Sequence, residues 1–75
     1  MGCRKNLGYV PVGHTCQYRT THYTIIFRVK WRKRKQIRVH ALNVTGDLDD
    51  APVSRKGEKV YLRGNTRVDY FPSLQ

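Results

Sequence analysis

The feature that most limits how this chain can fold is a run of nine residues, 23–31, in which large apolar side chains occupy every second position. Because successive side chains of a β-strand point to opposite faces, this run predicts a strand with one buried face and one mostly polar face. An α-helix would spread the same side chains around its circumference. The apolar positions are Tyr23, Ile25, Phe27, Val29 and Trp31.

A second strand with the same period covers residues 37–41, and together the two strands predict a hairpin. Their apolar sides must share one face, which places Val29 beside Val39 and Trp31 beside Ile37. We therefore interpret Trp31 as a core side chain at the end of its strand, in preference to the alternative that it stacks on a base beside the basic loop. This register requires a loop of three or five residues. We favour five, because no glycine is present there to adopt a left-handed conformation.

Two more strands, 58–63 and 66–71, are predicted near the C-terminus, separated by a turn that contains glycine and asparagine. Matching their apolar positions places Arg63 opposite Arg67 on the outer face. The side chains that we expect to face the core are Val60, Leu62, Val68 and Tyr70.

The first 22 residues are less regular. Alternation predicts a short strand at 9–12, and at 16–20 a backward extension of the strand that begins at Tyr23. The Met1-Gly2 start is partly compatible with N-terminal acylation, but Asn6 stands where the myristoylation pattern requires Ser or Thr.

Composition supports an all-β fold. Val, Ile, Thr, Tyr, Phe and Trp make up 25 of the 75 residues, and these residue types favour strands. We predict a single small basic β domain over residues 1–75, with the main sheet at 23–71. Five to six short strands in so few residues predict a small barrel or a strongly curled antiparallel sheet, OB-like or SH3-like, because closure removes exposed edges.

One segment has a resemblance to known folds. From Val53 to Gly64, a glycine and an acid precede alternating apolar residues. This stretch resembles the strand-opening segments of small nucleic-acid-binding barrels of the KOW and OB type, over 12 of the 75 residues. The resemblance implies a small barrel, and it carries over no functional residue.

Positive charge dominates the surface that this fold would expose. The chain has 15 Lys and Arg against 5 Asp and Glu, a net charge of +10. Seven of the eleven residues from Arg28 to Arg38 are basic. A net charge of about 2–8 suffices for the solubility of a small domain, so this excess favours a polyanionic partner. The predicted registers also place Lys30 opposite Arg38 and Arg63 opposite Arg67, a repulsion that a polyanion would relieve.

Nucleic acid is the polyanion that these residues fit best. Lys and Arg release counterions from a phosphate backbone, and outward aromatics such as Tyr61 and Phe71 can stack on unpaired bases. We rank RNA or single-stranded DNA ahead of duplex DNA, although a basic hairpin could also enter a major groove. The predicted nucleic-acid-binding residues are Arg28, Lys30, Arg32, Lys33, Arg34, Lys35, Arg38, His40, Lys59, Tyr61, Arg63 and Arg67.

The cysteines and histidines near the N-terminus leave three alternatives open. Cys3, His14, Cys16 and His22 form a candidate zinc set, but their spacing lacks the close ligand pairs of structural sites. A Cys3–Cys16 disulfide is the one available bridge. Without a secretion signal or a long apolar run, we expect a cytoplasmic protein with free thiols, no metal, no cofactor and no membrane contact.

We expect a binding protein rather than an enzyme. Asp47, Asp49 and Asp50 crowd one loop, but they lack the EF-hand spacing. His40 beside Arg38 is the one pair that a small nuclease could use. A short chain also has little room for the cleft of about 300 Å³ that a drug-sized ligand needs. The alternative function is a small regulatory or inhibitory protein, such as a virus or phage encodes, that docks on an acidic protein surface.

Overall fold

The structure is a computed structural model that describes residues 3–33 and 35–70. These residues form six strands and one short 3-10 helix. All strand pairs are antiparallel, and they form one sheet in the order β1-β6-β2-β3-β4-β5, which confirms the all-β prediction. The elements are β1 (Cys3–Asn6), the 3-10 helix (Leu7–Tyr9), β2 (Thr15–Arg19), β3 (Tyr23–Lys33), β4 (Gln36–Gly46), β5 (Lys59–Arg63) and β6 (Arg67–Tyr70).

The sheet is open, with β1 and β5 at its edges. Over the described residues no strand pairing joins these two edges, so the predicted OB-like or SH3-like barrel is not formed, and the sheet is not strongly curled either. The 3-10 helix instead contacts the connection between β5 and β6. The amide of Leu7 donates to the carbonyl of Thr66 at 2.8 Å, and the amide of Gly8 donates to that of Gly64 at 2.9 Å.

The predicted hairpin of the last two strands was wrong. The strand β5 pairs with β4, whereas β6 pairs with β1 and β2. Arg63 therefore lies opposite Gln36, and Arg67 lies opposite Asn6, so the two arginines do not face each other. The inward direction of the apolar residues is nevertheless confirmed, because Val68 and Tyr70 are buried and Val60 and Leu62 pack against the core.

The N-terminal segment also contributes to the sheet. The strand predicted at 9–12 is wrong, because a 3-10 helix and a turn occupy that region. The strand β2 does not extend β3 but pairs with it. The chain reverses between them at Thr20, whose hydroxyl oxygen accepts hydrogen bonds from the amides of His22 (3.2 Å) and Tyr23 (3.1 Å).

The core lies on one face of the central strands. The apolar residues that alternate in the middle of β3 and at the start of β4 are fully buried, as the sequence predicts, whereas Tyr23 is half-buried. Leu7, Val10 and Val53, which lie outside the strands, cover this face and are themselves buried. The fully buried residues of β3 and β4 are Ile25, Phe27, Val29, Ile37, Val39 and Ala41.

The β3–β4 hairpin departs from the predicted register near its tip. Val29 pairs with Val39 as predicted, but Trp31 pairs with Arg38 rather than with Ile37. A β-bulge at Lys30 separates these two pairs, and the connection shortens to residues 34–35. One extra residue reverses the alternation of side chains, so Trp31 lies on the outer face. Its interpretation as a core side chain was wrong, since it is 45% exposed.

Candidate nucleic-acid interface

The outer surface of β3, β4 and β5 carries most of the predicted binding residues. On β4, the side chains that alternate with the buried apolar ones point away from the core, and the same alternation holds on β5. We call this surface the basic face. Its members are Arg28, Lys30, Trp31, Lys33, Arg38, His40, Lys59, Tyr61 and Arg63.

Strand pairing arranges the basic face in three rows across the sheet. The first row joins Arg28, His40 and Lys59, and the third joins Lys33, Gln36 and Arg63. The middle row has a different character, because it holds the aromatic side chains on either side of a cation. Its members are Trp31, Arg38 and Tyr61.

Trp31 and Tyr61 form an aromatic pair in the middle row. Their ring centroids are 6.3 Å apart and their planes meet at 81°, an edge-to-face arrangement. Both rings stay open to solvent, since Trp31 is 45% and Tyr61 is 55% exposed. They line a groove of about 470 Å³ whose other walls are Lys30, Arg38 and Lys59. We call this groove the aromatic groove.

A second cleft lies beside the hairpin tip. It has a volume of about 610 Å³ and is lined by Lys35, Arg63, Gly64 and Asn65. We call it the tip cleft.

The carboxylates of the chain lie away from these cations. Three of the five lie in the connection after β4, where Asp47 accepts from the amide of Asp49 at 3.2 Å. The carboxylate of Glu58 accepts from Ser54, and Asp69 approaches Arg19 at 3.9 Å. Over residues 3–33 and 35–70, the Arg19–Asp69 contact is the one ion pair within 4.0 Å. Within the part of the chain that the structure describes, no carboxylate therefore lies within 4.0 Å of a cation of the basic face.

The cations that were predicted to face each other are not cross-strand partners at either position. Lys30 lies in the bulge, and Arg38 lies between Trp31 and Tyr61. In the first row, His40 separates the cations on β3 and β5. The case for an anionic partner therefore depends on the unneutralised charge of the face and on its aromatic pair.

The remaining predicted residues lie outside the basic face. Arg32 is exposed and donates to the carbonyl oxygen of Gly8 at 2.8 Å, and Lys35 lines the tip cleft. Arg67 lies on β6, where it donates to the side-chain oxygen of Asn6 at 3.5 Å. Two predicted positions, Arg34 and Phe71, lie outside the described residues, as does the Met1-Gly2 start considered for acylation.

The cysteines are too far apart to form the disulfide considered above. Cys3 on β1 and Cys16 on β2 both lie opposite Tyr70, which places strand β6 between them. Two strand spacings of about 4.8 Å separate their Cα atoms by roughly 10 Å, beyond the 7 Å limit for a bridge. Both thiols are free, Cys3 on the surface and Cys16 in the core.

The two thiols should react differently with a thiol reagent such as DTNB. Burial raises the pKa of Cys16 from 9.0 to about 12, so at pH 8 this thiol is protonated as well as inaccessible. We expect the native protein to release one equivalent of product quickly and the protein in denaturant to release two. A Cys3→Ser variant should lose the fast phase, and a fast phase that remains would contradict the assigned burial of Cys16.

Other candidate sites receive little support from the geometry. Over the described residues, no group of three or more His, Cys, Asp or Glu side chains is placed to hold a metal ion. The acidic connection lines a small cleft of about 110 Å³ with His22 and Tyr23. Burial first, and then Tyr18 and Asp50, raise the pKa of Tyr23.

No known protein family, curated protein or solved structure matches the chain. Among the described residues, no helix is both long and apolar enough to cross a bilayer.

Proposed function

We propose that this protein binds nucleic acid through the basic face, with single-stranded RNA or DNA preferred over duplex DNA. The observation that carries the proposal is the exposed Trp31–Tyr61 pair, which lines one groove together with Lys30, Arg38 and Lys59. Aromatic rings stack on the bases and cations bind the phosphates. Binding sites for single strands combine these two elements.

The charge of the face supports an extended anionic partner. Its cations have no carboxylate counterions in the described structure, so the anion must come from outside. A strand of nucleic acid that replaces the diffuse counterions gains affinity from their release, whatever its sequence. This term does not distinguish single strands from duplexes.

The aromatic pair supplies the preference for single strands. In a duplex, the faces of the bases are stacked on their neighbours and are not available to a protein side chain. An unpaired base can stack on an exposed ring and gain about 1–3 kcal/mol. The hairpin tip is the part of the protein that suits duplex DNA, because a major groove about 12 Å wide admits a two-stranded ribbon.

Binding alone accounts for these features, and the proposal includes no catalytic step. The proposed protein is a small cytoplasmic module that contacts its partner with the outer surface of its open sheet. An acidic protein surface is the alternative partner. It would also attract the cations, but it offers no unpaired base for the exposed rings.

The proposal predicts a strong and specific salt dependence. Replacement of Lys30, Arg38 and Lys59 by glutamine should lower the affinity for single-stranded oligonucleotides. The slope of log affinity against log salt should decrease by about 2, at about 0.7 for each lost phosphate contact. The measurement is fluorescence anisotropy on RNA, single-stranded DNA and duplex DNA across salt concentrations.

A matched variant controls for net charge. Arg4→Gln with Arg55→Gln and Lys56→Gln also removes three positive charges, from exposed positions on β1 and in the connection before β5. We expect it to retain most of the affinity. Equal losses in the two variants would show nonspecific attraction. A parent protein that binds no nucleic acid but captures one dominant acidic protein after nuclease treatment would refute the proposal and favour the docking alternative.

A further inference from the structure

The tip cleft has features that the aromatic groove lacks. Among the residues that the structure describes, its lining consists of two cations, Lys35 and Arg63, with Gly64 and Asn65, and includes neither an aromatic ring nor a carboxylate. At about 610 Å³ it is larger than the aromatic groove. Such a lining is suited to an anion and offers no surface on which a base could stack.

Hydrogen bonds fix the backbone of this cleft. The amide of Gly64 donates to the carbonyl of Lys35 at 2.8 Å, which ties the β3–β4 hairpin to the end of β5. The carbonyl of Gly64 accepts from Gly8, and that of Gly8 accepts from Arg32. Because both backbone groups of Gly64 are already paired, we assign ligand binding to the side chains of Lys35, Arg63 and Asn65.

The backbone behind the cleft is also tightly packed. A Cβ atom added at Gly8 would lie 3.3 Å from the carbonyl oxygen of Gly64. The cleft is therefore supported by a close contact between two backbone segments. Such a support limits the loss of backbone entropy when a ligand binds.

The strand β5 connects the two clefts. Tyr61 lines the aromatic groove and Arg63 lines the tip cleft. They are two residues apart on one face of β5, a separation of about 6.6 Å. The two sites are thus neighbours on a single strand, as the base and a phosphate are neighbours on a nucleotide chain.

From this juxtaposition we infer that the tip cleft is a phosphate-binding site, and that it holds a backbone phosphate of the same strand whose base stacks in the aromatic groove. The inference rests on the proposed function and adds the position of one bound phosphate to it. Lys35 and Arg63 pair with the phosphate oxygens, and the carboxamide of Asn65 donates to them. The tip cleft thus fixes the path of the nucleic-acid strand across the protein surface.

Two strands of equal length separate phosphate binding from base stacking. One is a fluorescent thymidine decamer, and the other is a decamer of abasic sites that keeps its phosphates but has no bases. The Lys35→Gln/Arg63→Gln variant should lower the salt slope by about 0.7 on both strands, because the contact to one phosphate is lost. Tyr61→Ala should weaken binding of the thymidine strand alone.

The control is Arg55→Gln/Lys56→Gln, which removes the same two residue types from exposed positions outside both clefts. We expect it to change the slope far less. In the unmutated protein, the amide resonances of Gly64 and Asn65 should shift when the abasic strand is added. This second measurement does not depend on whether a variant folds.

The outcomes separate the inference from the proposed function. If the parent binds the thymidine strand but the Lys35/Arg63 and Arg55/Lys56 variants bind alike, the phosphate site is refuted and the proposed function stands. Unmoved Gly64 and Asn65 resonances in a saturated complex would refute it as well. If the parent binds neither strand, both the proposed function and the inference fail.

Discussion

Replacement of Phe27 by alanine should destabilise the protein by about 3–5 kcal/mol. Phe27 is fully buried, and in its register it lies between Cys16 of β2 and Ala41 of β4. Both neighbours are small, so they cannot fill the space that the lost ring leaves. A domain of 75 residues has a stability of only about 4–11 kcal/mol in total. The substitution therefore removes a large part of it.

Thermal and denaturant unfolding, followed by circular dichroism, would measure this loss. We expect the melting temperature to fall by at least about 12 °C. Tyr9→Ala is the matched control, because it also truncates an aromatic ring but at a position that is 71% exposed. Its effect should stay within about 0.5 kcal/mol. A Phe27→Ala protein that melts like the parent would mean that the buried face has been assigned wrongly.

The buried face of the sheet was predictable because period two is a local property of the sequence. Ile25, Phe27, Val29, Ile37 and Val39 follow it without interruption, and all are fully buried. The same alternation fixes the opposite direction of the basic residues between them. Most of the basic face follows from this one pattern.

The β-bulge at Lys30 was not predictable from the same pattern. A two-residue connection without a bulge would pair Val29 with His40, which would place apolar and polar side chains on the same face. We therefore expected a longer loop. The protein instead combines the short connection with one extra residue in β3, which restores the Val29–Val39 pair. Trp31 lies beyond the bulge, so the alternation assigned it to the wrong face.

The order of the strands depends on contacts between distant residues. Adjacent strands joined by a short turn often pair, which is why a hairpin was expected between β5 and β6. Here β6 lies between β1 and β2, and the interactions of the 3-10 helix with Thr66 and Gly64 accompany that arrangement. No local pattern in the sequence encodes these contacts. The tip cleft depends on them, and so it too could be found only in the structure.

The aromatic groove combines two exposed rings with cations, and removal of either ring should have a large effect on binding. Trp31→Ala and Tyr61→Ala should each weaken the binding of a single-stranded oligonucleotide by about 1–3 kcal/mol, a loss of about 5- to 150-fold. Neither substitution removes a charge. The slope of log affinity against log salt should therefore remain nearly that of the parent, in contrast to the glutamine variants of the cations. Anisotropy titrations at several salt concentrations measure both quantities.

The two substitutions should not be additive, because the rings contact each other with their centroids 6.3 Å apart. Removal of either ring also removes the support of the other, so the double variant should lose less than the sum of the single losses. Tyr9→Ala again provides the control, since it deletes an exposed ring outside the aromatic groove and should leave affinity unchanged. Binding of duplex DNA should change little in any of these variants, because its bases are already stacked on each other. If Trp31→Ala and Tyr61→Ala weaken single-strand and duplex binding equally, the rings do not stack on bases, and the preference for single strands has no structural basis.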